Sequence, residues 1–255
     1  MNPALLAGLD VGFPQGTISG ADWLAIRKTR SFAFLRVMQG LGGLDPTFLP
    51  NLAGARAAAM LGIGGYFPFV PGLDPAAQAR AWFAASRGLG AGTSGRKDEL
   101  PPAIDFEIAS KTLLPEEEAE AAVVVIETME NLWGRAPILY TYPDFWRREV
   151  LAVATATELA AFARCLLWFA AYASAPPPAP KPWERVTFWQ SSGGTNFRVP
   201  SGAPCDEDYF LGTEDELRVL ASFAPALGPN PLAGVPVPGL VIPGENEGEG
   251  NPPST

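Results

Sequence analysis

The chain has 255 residues, 47% of them hydrophobic, and can therefore bury one sizeable core. Its formal net charge of −9 argues against partners that attract basic surfaces, namely nucleic acids and anionic membranes. Histidine is absent, which excludes His-based triads, His general bases and most catalytic zinc designs.

The remaining candidates for chemistry are Asp, Glu, Tyr and Cys side chains. Cys165 and Cys205 lie far apart in the sequence and form no metal-ligand spacing. They are either free thiols in a reducing setting or buried small apolar residues. The N-terminal segment has no basic region followed by a long apolar run, so we expect no signal peptide, and no segment has the length of a membrane span.

Apolar runs typical of strands alternate with helical segments along most of the chain. Strands are predicted at 5–11, 32–38, 64–70, 100–107, 136–141, 166–172 and 186–190, with a weak eighth at 203–208. Helices are predicted to follow 19–23 and to occupy 51–61, 75–88, 115–134, 157–164 and 213–223. This order predicts an α/β fold with a parallel sheet, closed into a (β/α) TIM-type barrel whose last strands can be irregular.

The composition changes at Pro225, where Pro, Gly and Asn become dominant, and residues 244–255 are acidic and of low complexity. We therefore expect a barrel domain over 1–224 and an extended tail over 225–255 without regular structure. The tail is interpreted either as a linker or as an arm that docks onto other subunits.

The segment from Leu100 to Glu107 is an apolar run that ends in two carboxylates. Residues i and i+2 of a strand point to the same face, so Asp105 and Glu107 should project together, with Phe106 on the other side. Two adjacent acids raise each other's pKa, and a protonated carboxyl beside an ionised one is the basic requirement for glycosidic bond cleavage. The alternative is a strand end with two solvated acids.

Polar and aromatic residues also follow the other predicted strands. These residues are Asp10, Gln39, Asp105, Glu107, Tyr140, Trp168, Tyr172, Trp189, Gln190 and Asp206. The active sites of (β/α) barrels lie at the C-terminal ends of the strands, so this distribution predicts a site there. Aromatic faces with carboxylates and amides suit sugar binding, although the aromatic residues could equally belong to the core.

A set of short motifs occurs in a fixed order along residues 5–223. They are Gly8-Leu-Asp10-Val-Gly12, Asp22-Trp23, Arg36-Val-Met-Gln39-Gly40, Asp45 to Asn51, Gly65-Tyr66-Phe67, Leu100 to Glu107, Pro137 to Thr141, Leu167 to Tyr172, Trp189-Gln190-Ser191 and Cys205-Asp206-Glu-Asp208. Their order and spacing resemble glycoside hydrolase family 25, the Chalaropsis-type lysozymes, which include phage endolysins. Leu100 to Glu107 is similar to the family's Leu-Pro-x-x-x-Asp-x-Glu.

The resemblance implies a muramidase that cuts the β-1,4 bond between N-acetylmuramic acid and N-acetylglucosamine and needs neither metal nor cofactor. Glu107 would be the general acid, Asp105 would assist the substrate acetamido group or stabilise the oxocarbenium-like charge, and Asp10 and Asp206 would complete the acidic floor. The implied substrate-binding residues are Tyr66, Phe67, Gln39, Arg36, Tyr140, Trp168, Tyr172, Trp189 and Gln190. Arg36 could instead pair with one of the acids inside the barrel.

Four positions depart from the family pattern. Phe67 replaces a His, Gln39 a Glu, Arg36 a Lys and Gly12 a Ser. In addition, the motif from Cys205 to Asp208 stands where the family usually has Val-Asp-Leu-Asn. The departures are compatible with an altered glycan preference, a weaker enzyme or a site kept for binding.

Two functional hypotheses therefore stand. The first is a peptidoglycan muramidase, which reaches the cell wall from the host cytoplasm by holin release or particle delivery. The second is a non-catalytic structural or glycan-binding component of a phage tail or contractile injection particle, docked through 225–255.

Overall fold

The computed structural model describes residues 5–200 and 202–222, and within them eight strands close into one barrel in chain order. The strands are β1 Leu5–Val11, β2 Phe32–Arg36, β3 Gly62–Pro68, β4 Ala103–Asp105, β5 Ile138–Thr141, β6 Leu166–Ala170, β7 Phe188–Arg198 and β8 Pro204–Leu211. The helices are α1 Gly20–Arg27, α2 Phe48–Ala57, α3 Pro75–Ala85, α4 Pro115–Trp133, α5 Pro143–Phe145, which continues into a π-helical turn Trp146–Val150, α6 Ala156–Arg164 and α7 Glu214–Ala221. The predicted α/β barrel is confirmed.

The expectation of an all-parallel sheet is wrong for the last strand. Strands β1 to β7 pair in parallel with their chain neighbours, whereas β8 is antiparallel to both β7 and β1. A parallel connection needs a crossover of a dozen or more residues, and β7 ends at Arg198 only a short loop before β8 begins at Pro204. The expected irregularity is confirmed, because the β7–β8 pairing shifts register between Gln190 and Ser192 and again before Phe197.

Strand residues alternate between the barrel interior and the layer of helices outside. The interior below the site is filled by Phe32, Phe34 and Phe188, whose rings contact one another edge to face. Gly8 makes this packing possible, because a Cβ atom at that position would lie 2.4 Å from the Phe32 ring. The barrel is therefore closed at its centre by aromatic side chains.

Local sequence signals set the helix ends. Helix α4 starts with Pro115, carries three acids in its first turn, and ends at Gly134 in the left-handed conformation (φ 68°). Helices α6 and α7 both begin with capping boxes, formed by Thr155 with Glu158 and by Thr213 with Glu216.

The tail predicted at 225–255 lies outside the described residues. Within the described part of the chain, no helix combines the length and apolar character needed to cross a membrane.

Candidate active site

The C-terminal ends of the parallel strands, together with the N-terminal end of the antiparallel β8, bring four carboxyl groups into one cavity. Asp10 lies on β1, Asp105 ends β4, Glu107 follows two residues later, and Asp206 lies on β8 directly opposite Asp10 in the antiparallel register. The cavity has a volume of about 110 Å³. Its lining residues are Asp10, Tyr66, Asp105, Glu107, Tyr140, Trp168, Gln190 and Asp206. All eight are among the residues that the sequence analysis selected.

Gln190 connects opposite sides of this cavity through both ends of its amide group. Its Nε2 donates to Asp10 Oδ2 at 2.8 Å, and its Oε1 accepts from the Tyr140 hydroxyl at 3.0 Å. The Tyr140 hydroxyl is also within hydrogen-bonding reach of Glu107. The carboxyl groups of Asp10 and Glu107 are therefore linked through Gln190 and Tyr140.

Burial and mutual repulsion disfavour ionisation of these acids. Burial, followed by the charges of Asp206 and Glu107, raises the pKa of Asp10 to about 7 despite the hydrogen bond from Gln190. Burial, then the charges of Glu107 and Asp10, raises the pKa of Asp105 well above its ordinary value. Burial and the charge of Asp206 raise the pKa of Glu107, and burial raises that of Asp206. The cluster therefore retains protons near neutral pH.

Asp105 and Glu107 occupy different environments although they are two residues apart. Asp105 is buried, and its Oδ1 has no hydrogen-bond partner among the described residues. Glu107 is only partly buried. The arrangement leaves Oδ1 of Asp105 available to a donor from a ligand, while the Glu107 carboxyl stands nearer to solvent.

A larger groove of about 680 Å³ also lies at the strand ends. Its lining residues are Phe13, Arg36, Met38, Gln39, Gly40, Leu41, Gly42, Gly43, Leu44, Asp45, Pro46, Val70 and Leu73. A salt bridge from Arg36 to an acid of the site was the alternative expectation, and it is wrong, because Arg36 Nε pairs with Asp45 Oδ2 at 2.7 Å. Exposed Gln39 and partly buried Arg36 thus line the groove and not the acidic cavity.

Gly12 brings the groove and the cavity close together. A Cβ atom at Gly12 would lie 3.1 Å from Arg36 Nε and 3.2 Å from the Tyr66 hydroxyl. The glycine, which stands where the resembled family has Ser, thus allows Arg36 and Tyr66 to approach the same point of the backbone.

Two of the residues selected for substrate contact, Phe67 and Trp189, do not reach the site. Phe67 is fully buried in the outer layer, stacked on Trp82 with ring centroids 5.1 Å apart. Trp189 is stacked on Tyr209, and its Nε1 donates to the Ala171 carbonyl at 2.7 Å. Each of them follows or precedes a cavity residue in its strand, so the alternation of side chains directs it outward. The prediction for both residues is corrected accordingly.

Two other selected aromatic residues take unequal places. Trp168 forms the floor of the cavity: it is buried, stacks on Phe34 at 4.3 Å and contacts the Tyr140 ring edge to face. Tyr172 lies at the rim, 68% exposed, with its hydroxyl 3.5 Å from Gln190 Oε1. Of these two residues, Tyr172 is the one with an open aromatic face for a sugar ring.

Asp208 belongs to the site although the sequence analysis did not select it. It is fully buried on β8, and its Oδ1 accepts from Trp168 Nε1 at 2.8 Å. The i, i+2 spacing that singled out Asp105 and Glu107 also relates Asp206 to Asp208, and this was the available signal. Among residues 5–200 and 202–222, no group of acidic and Cys side chains is arranged to hold a metal ion.

Known proteins match both this sequence and this fold. The model of the glycosyl hydrolases of family 25 matches residues 9–198. An N,O-diacetylmuramidase from Chalaropsis sp. is 27% identical over 230 residues, which cover 84% of this chain and 98% of that protein.

Solved structures agree with these matches. A muramidase from Acremonium alcalophilum has a TM-score of 0.70 at 28% identity, covering 85% of this chain and 99% of its own. A family 25 lysozyme from Aspergillus fumigatus has a TM-score of 0.72 at 25% identity, covering 86% and 100%. The chain belongs to glycosyl hydrolase family 25 and is a glycoside hydrolase.

Proposed function

We propose that the chain is an N-acetylmuramidase that hydrolyses the β-1,4 bond between N-acetylmuramic acid and N-acetylglucosamine in peptidoglycan. One observation carries the proposal: Asp105 and Glu107 face the same cavity with raised pKa values and different exposure. Muramidases of the same family match the chain over most of its length, which supports the substrate class.

Glu107 is the proposed general acid. Burial and the charge of Asp206 favour its protonated form, which a proton donor to the leaving oxygen requires. The Tyr140 hydroxyl donates to Gln190 Oε1 and contacts Glu107, and this contact lowers the pKa of Glu107 without cancelling the increase. This contact fixes the carboxyl group at the cavity mouth, so that its proton is directed to one position.

Asp105 is the proposed partner of the substrate acetamido group. An acetamido N–H that donates to the unpaired Oδ1 of Asp105 stabilises the ionised form of this acid. In the free protein, burial and the charges of Glu107 and Asp10 raise the pKa of Asp105 and favour its protonated form. Substrate binding thus leaves the proton of the pair on Glu107, where it is needed.

The glycosidic bond can then be cleaved without a protein nucleophile. The acetamido carbonyl oxygen attacks the anomeric carbon, the glycosidic C–O bond breaks, and the Glu107 proton passes to the leaving oxygen. A water molecule then attacks the anomeric carbon, the bond from this carbon to the acetamido oxygen breaks, and the Glu107 carboxylate takes a proton from the water, which restores the acid. In their ionised forms, Asp10 and Asp206 stabilise the positive charge that develops on the sugar ring.

The groove beside the cavity is the proposed site for the rest of the peptidoglycan strand. Phe13, Leu41 and Leu73 line it and are largely exposed, and Arg36 and Gln39 contribute polar groups. Apolar walls with a few polar groups suit a substituted glycan, whose sugar faces and side arms are partly apolar.

The proposal is tested by release of soluble muropeptides from purified peptidoglycan. Glu107→Gln keeps the shape of the side chain and removes the transferable proton, so we expect activity to fall about 10²- to 10⁴-fold. Glu120→Gln, on the exposed face of α4, is the matched control and should retain full activity. Equal release by the wild type and Glu107→Gln contradicts the role of Glu107, and no release by either favours a structural or glycan-binding component.

Delivery by holin or by a phage-type particle is proposed on composition alone. The acidic balance of the chain and the low-complexity segment 225–255 suit an assembled context. Retention of the full chain, but not of residues 1–225, on assembled particles tests this docking role. Equal retention of both contradicts it.

A further inference from the structure

Asp208 is a carboxyl group with no exposure to solvent that lies behind Asp10. In the antiparallel register of β8, Asp208 stands opposite Gly8 of β1 and Gln190 of β7. Its Oδ1 accepts from Trp168 Nε1 at 2.8 Å. Its Oδ2 has no donor among the described residues, although the Asp10 carboxyl is within hydrogen-bonding reach.

The groups that face Asp208 are acids or neutral side chains. The titratable ones are Asp10 on β1, Asp206 and Cys205 on β8, and Tyr172 beyond β6, while β6 and β7 contribute the neutral Trp168 and Gln190. None of the salt bridges in the described part of the chain includes Asp208. Two ionised carboxyl groups in contact without a cation repel strongly, and a shared proton removes this repulsion.

The hydrogen bonds indicate which carboxyl holds the proton. Asp10 Oδ2 accepts from Gln190 Nε2 at 2.8 Å, and this hydrogen bond favours the ionised form of Asp10, which predominates above its pKa of about 7. Burial, then the charge of Asp10, raises the pKa of Asp208 well above its ordinary value, and the contact between the two acids lowers the pKa of Asp10 while raising that of Asp208. A proton on Asp208 Oδ2 also gives this otherwise orphaned atom a partner.

We propose that Asp208 is a positioning residue that holds a proton on Oδ2 and donates it in a hydrogen bond to Asp10. The role in catalysis rests on the proposed muramidase function, since it acts through Asp10. A donor behind Asp10 fixes that carboxylate, Asp10 in turn fixes the Nε2 end of Gln190, and the Oε1 end of Gln190 then faces Tyr140 beside Glu107. The orientation of the acid catalyst is thus set from the opposite side of the barrel.

Two variants separate positioning from packing. Asp208→Asn retains an acceptor for Trp168 and offers an N–H to Asp10, so we expect its kcat on soluble glycan strands to stay within about threefold of the wild type. Asp208→Ala removes both contacts, and we expect its kcat to fall about a hundredfold with KM little changed. An Asn variant as impaired as the Ala variant overturns the proposal.

A second measurement does not depend on activity. If the native state holds a proton that the unfolded state releases above its ordinary pKa of 3.8, stability falls as the pH rises from 4 toward the raised pKa. Asp208→Asn lacks this proton, so we expect its Tm to fall less between pH 4 and pH 7 than that of the wild type. Asp215→Asn, on the exposed start of α7, should follow the wild type.

The kcat measurements and the Tm measurements test the inference independently of each other. A Tm profile of Asp208→Asn that parallels the wild type overturns the inference, whereas an inactive wild type counts against the muramidase proposal and leaves the Tm test decisive. If the Asn variant does not fold, infrared spectra of Asp105→Asn, which keeps Asp208, should show a protonated carboxyl at pH 8. Absence of that band overturns the inference.

Discussion

Replacement of Asp10 by Asn should make the protein more stable at neutral pH while it impairs the site. The side chain is buried, and its pKa rises from the ordinary 3.8 to about 7, first because of burial and then because of the charge of Asp206. The native state therefore keeps a proton that the unfolded chain loses as the pH rises above about 4. The free energy of unfolding of the wild type falls over this interval, and the loss is complete above pH 7.

The size of the effect follows from the two pKa values. The difference between 3.8 and about 7 corresponds to about 4 kcal/mol at about 1.4 kcal/mol for each tenfold change in proton affinity. This is an upper bound, because the neighbouring acids titrate together with Asp10. Asn keeps an acceptor for Gln190 Nε2, so little of the gain is lost through a broken hydrogen bond.

Urea denaturation at pH 4, 5, 6 and 7 measures this difference directly. We expect Asp10→Asn and the wild type to have similar midpoints at pH 4, and the variant to have a higher midpoint at pH 7, with an unchanged m-value. Asp215→Asn is the control for loss of one exposed carboxyl group. If the two midpoints differ by the same amount at every pH, Asp10 is ionised throughout and the electrostatic argument for the cluster is refuted.

Three further expectations concern the outer layer, the groove and the tail. Phe67→Ala should lower the free energy of unfolding by about 3–5 kcal/mol, because the buried ring stacks on a tryptophan. The kcat of the folded variant should not change. A lower kcat at unchanged stability would show that Phe67 acts in the site. Phe13→Ser or Leu73→Ser should raise KM for long glycan strands about tenfold, because both residues line the groove. Leu24 is exposed outside the groove, so Leu24→Ser should leave KM unchanged. Equal effects of all three substitutions contradict the groove assignment. Deletion of 226–255 should leave the far-ultraviolet circular dichroism and Tm nearly unchanged, and global unfolding rejects the assignment of a separate tail.

The order of the strands and the identity of the cavity residues could be predicted because both depend on local pattern. Buried parallel strands are short apolar runs, and the residues that follow them meet at one end of the barrel. Asp10, Asp105 and Gln190 each stand at or near the end of such an apolar run in the sequence, so no knowledge of distant contacts was needed.

The remaining features depend on contacts between segments that are far apart in the chain. The antiparallel direction of β8 follows from the short loop after Arg198, and this loop could be recognised only once the end of β7 was known. The ion pair of Arg36 with Asp45 depends on how the loop after β2 folds back. The outward direction of Phe67 and Trp189 could be predicted from the sequence. Side chains alternate strictly along a strand, so the neighbours of Tyr66 and Gln190 cannot face the cavity.

The acidic cluster explains why stability and activity conflict in this site. Asp10, Asp105, Glu107 and Asp206 line one cavity, Asp208 is buried behind Asp10, and the Arg36 guanidinium is paired with Asp45. Retained protons, and not a paired cation, therefore reduce the repulsion among these acids. Each retained proton lowers the stability of the folded protein at neutral pH. The same protons are what a glycoside hydrolase without histidine has available for the leaving group. Substitutions that relieve the repulsion should therefore stabilise the barrel and reduce turnover together, whereas Asp208→Asn, which replaces a proton by an amide donor, should stabilise it and preserve turnover.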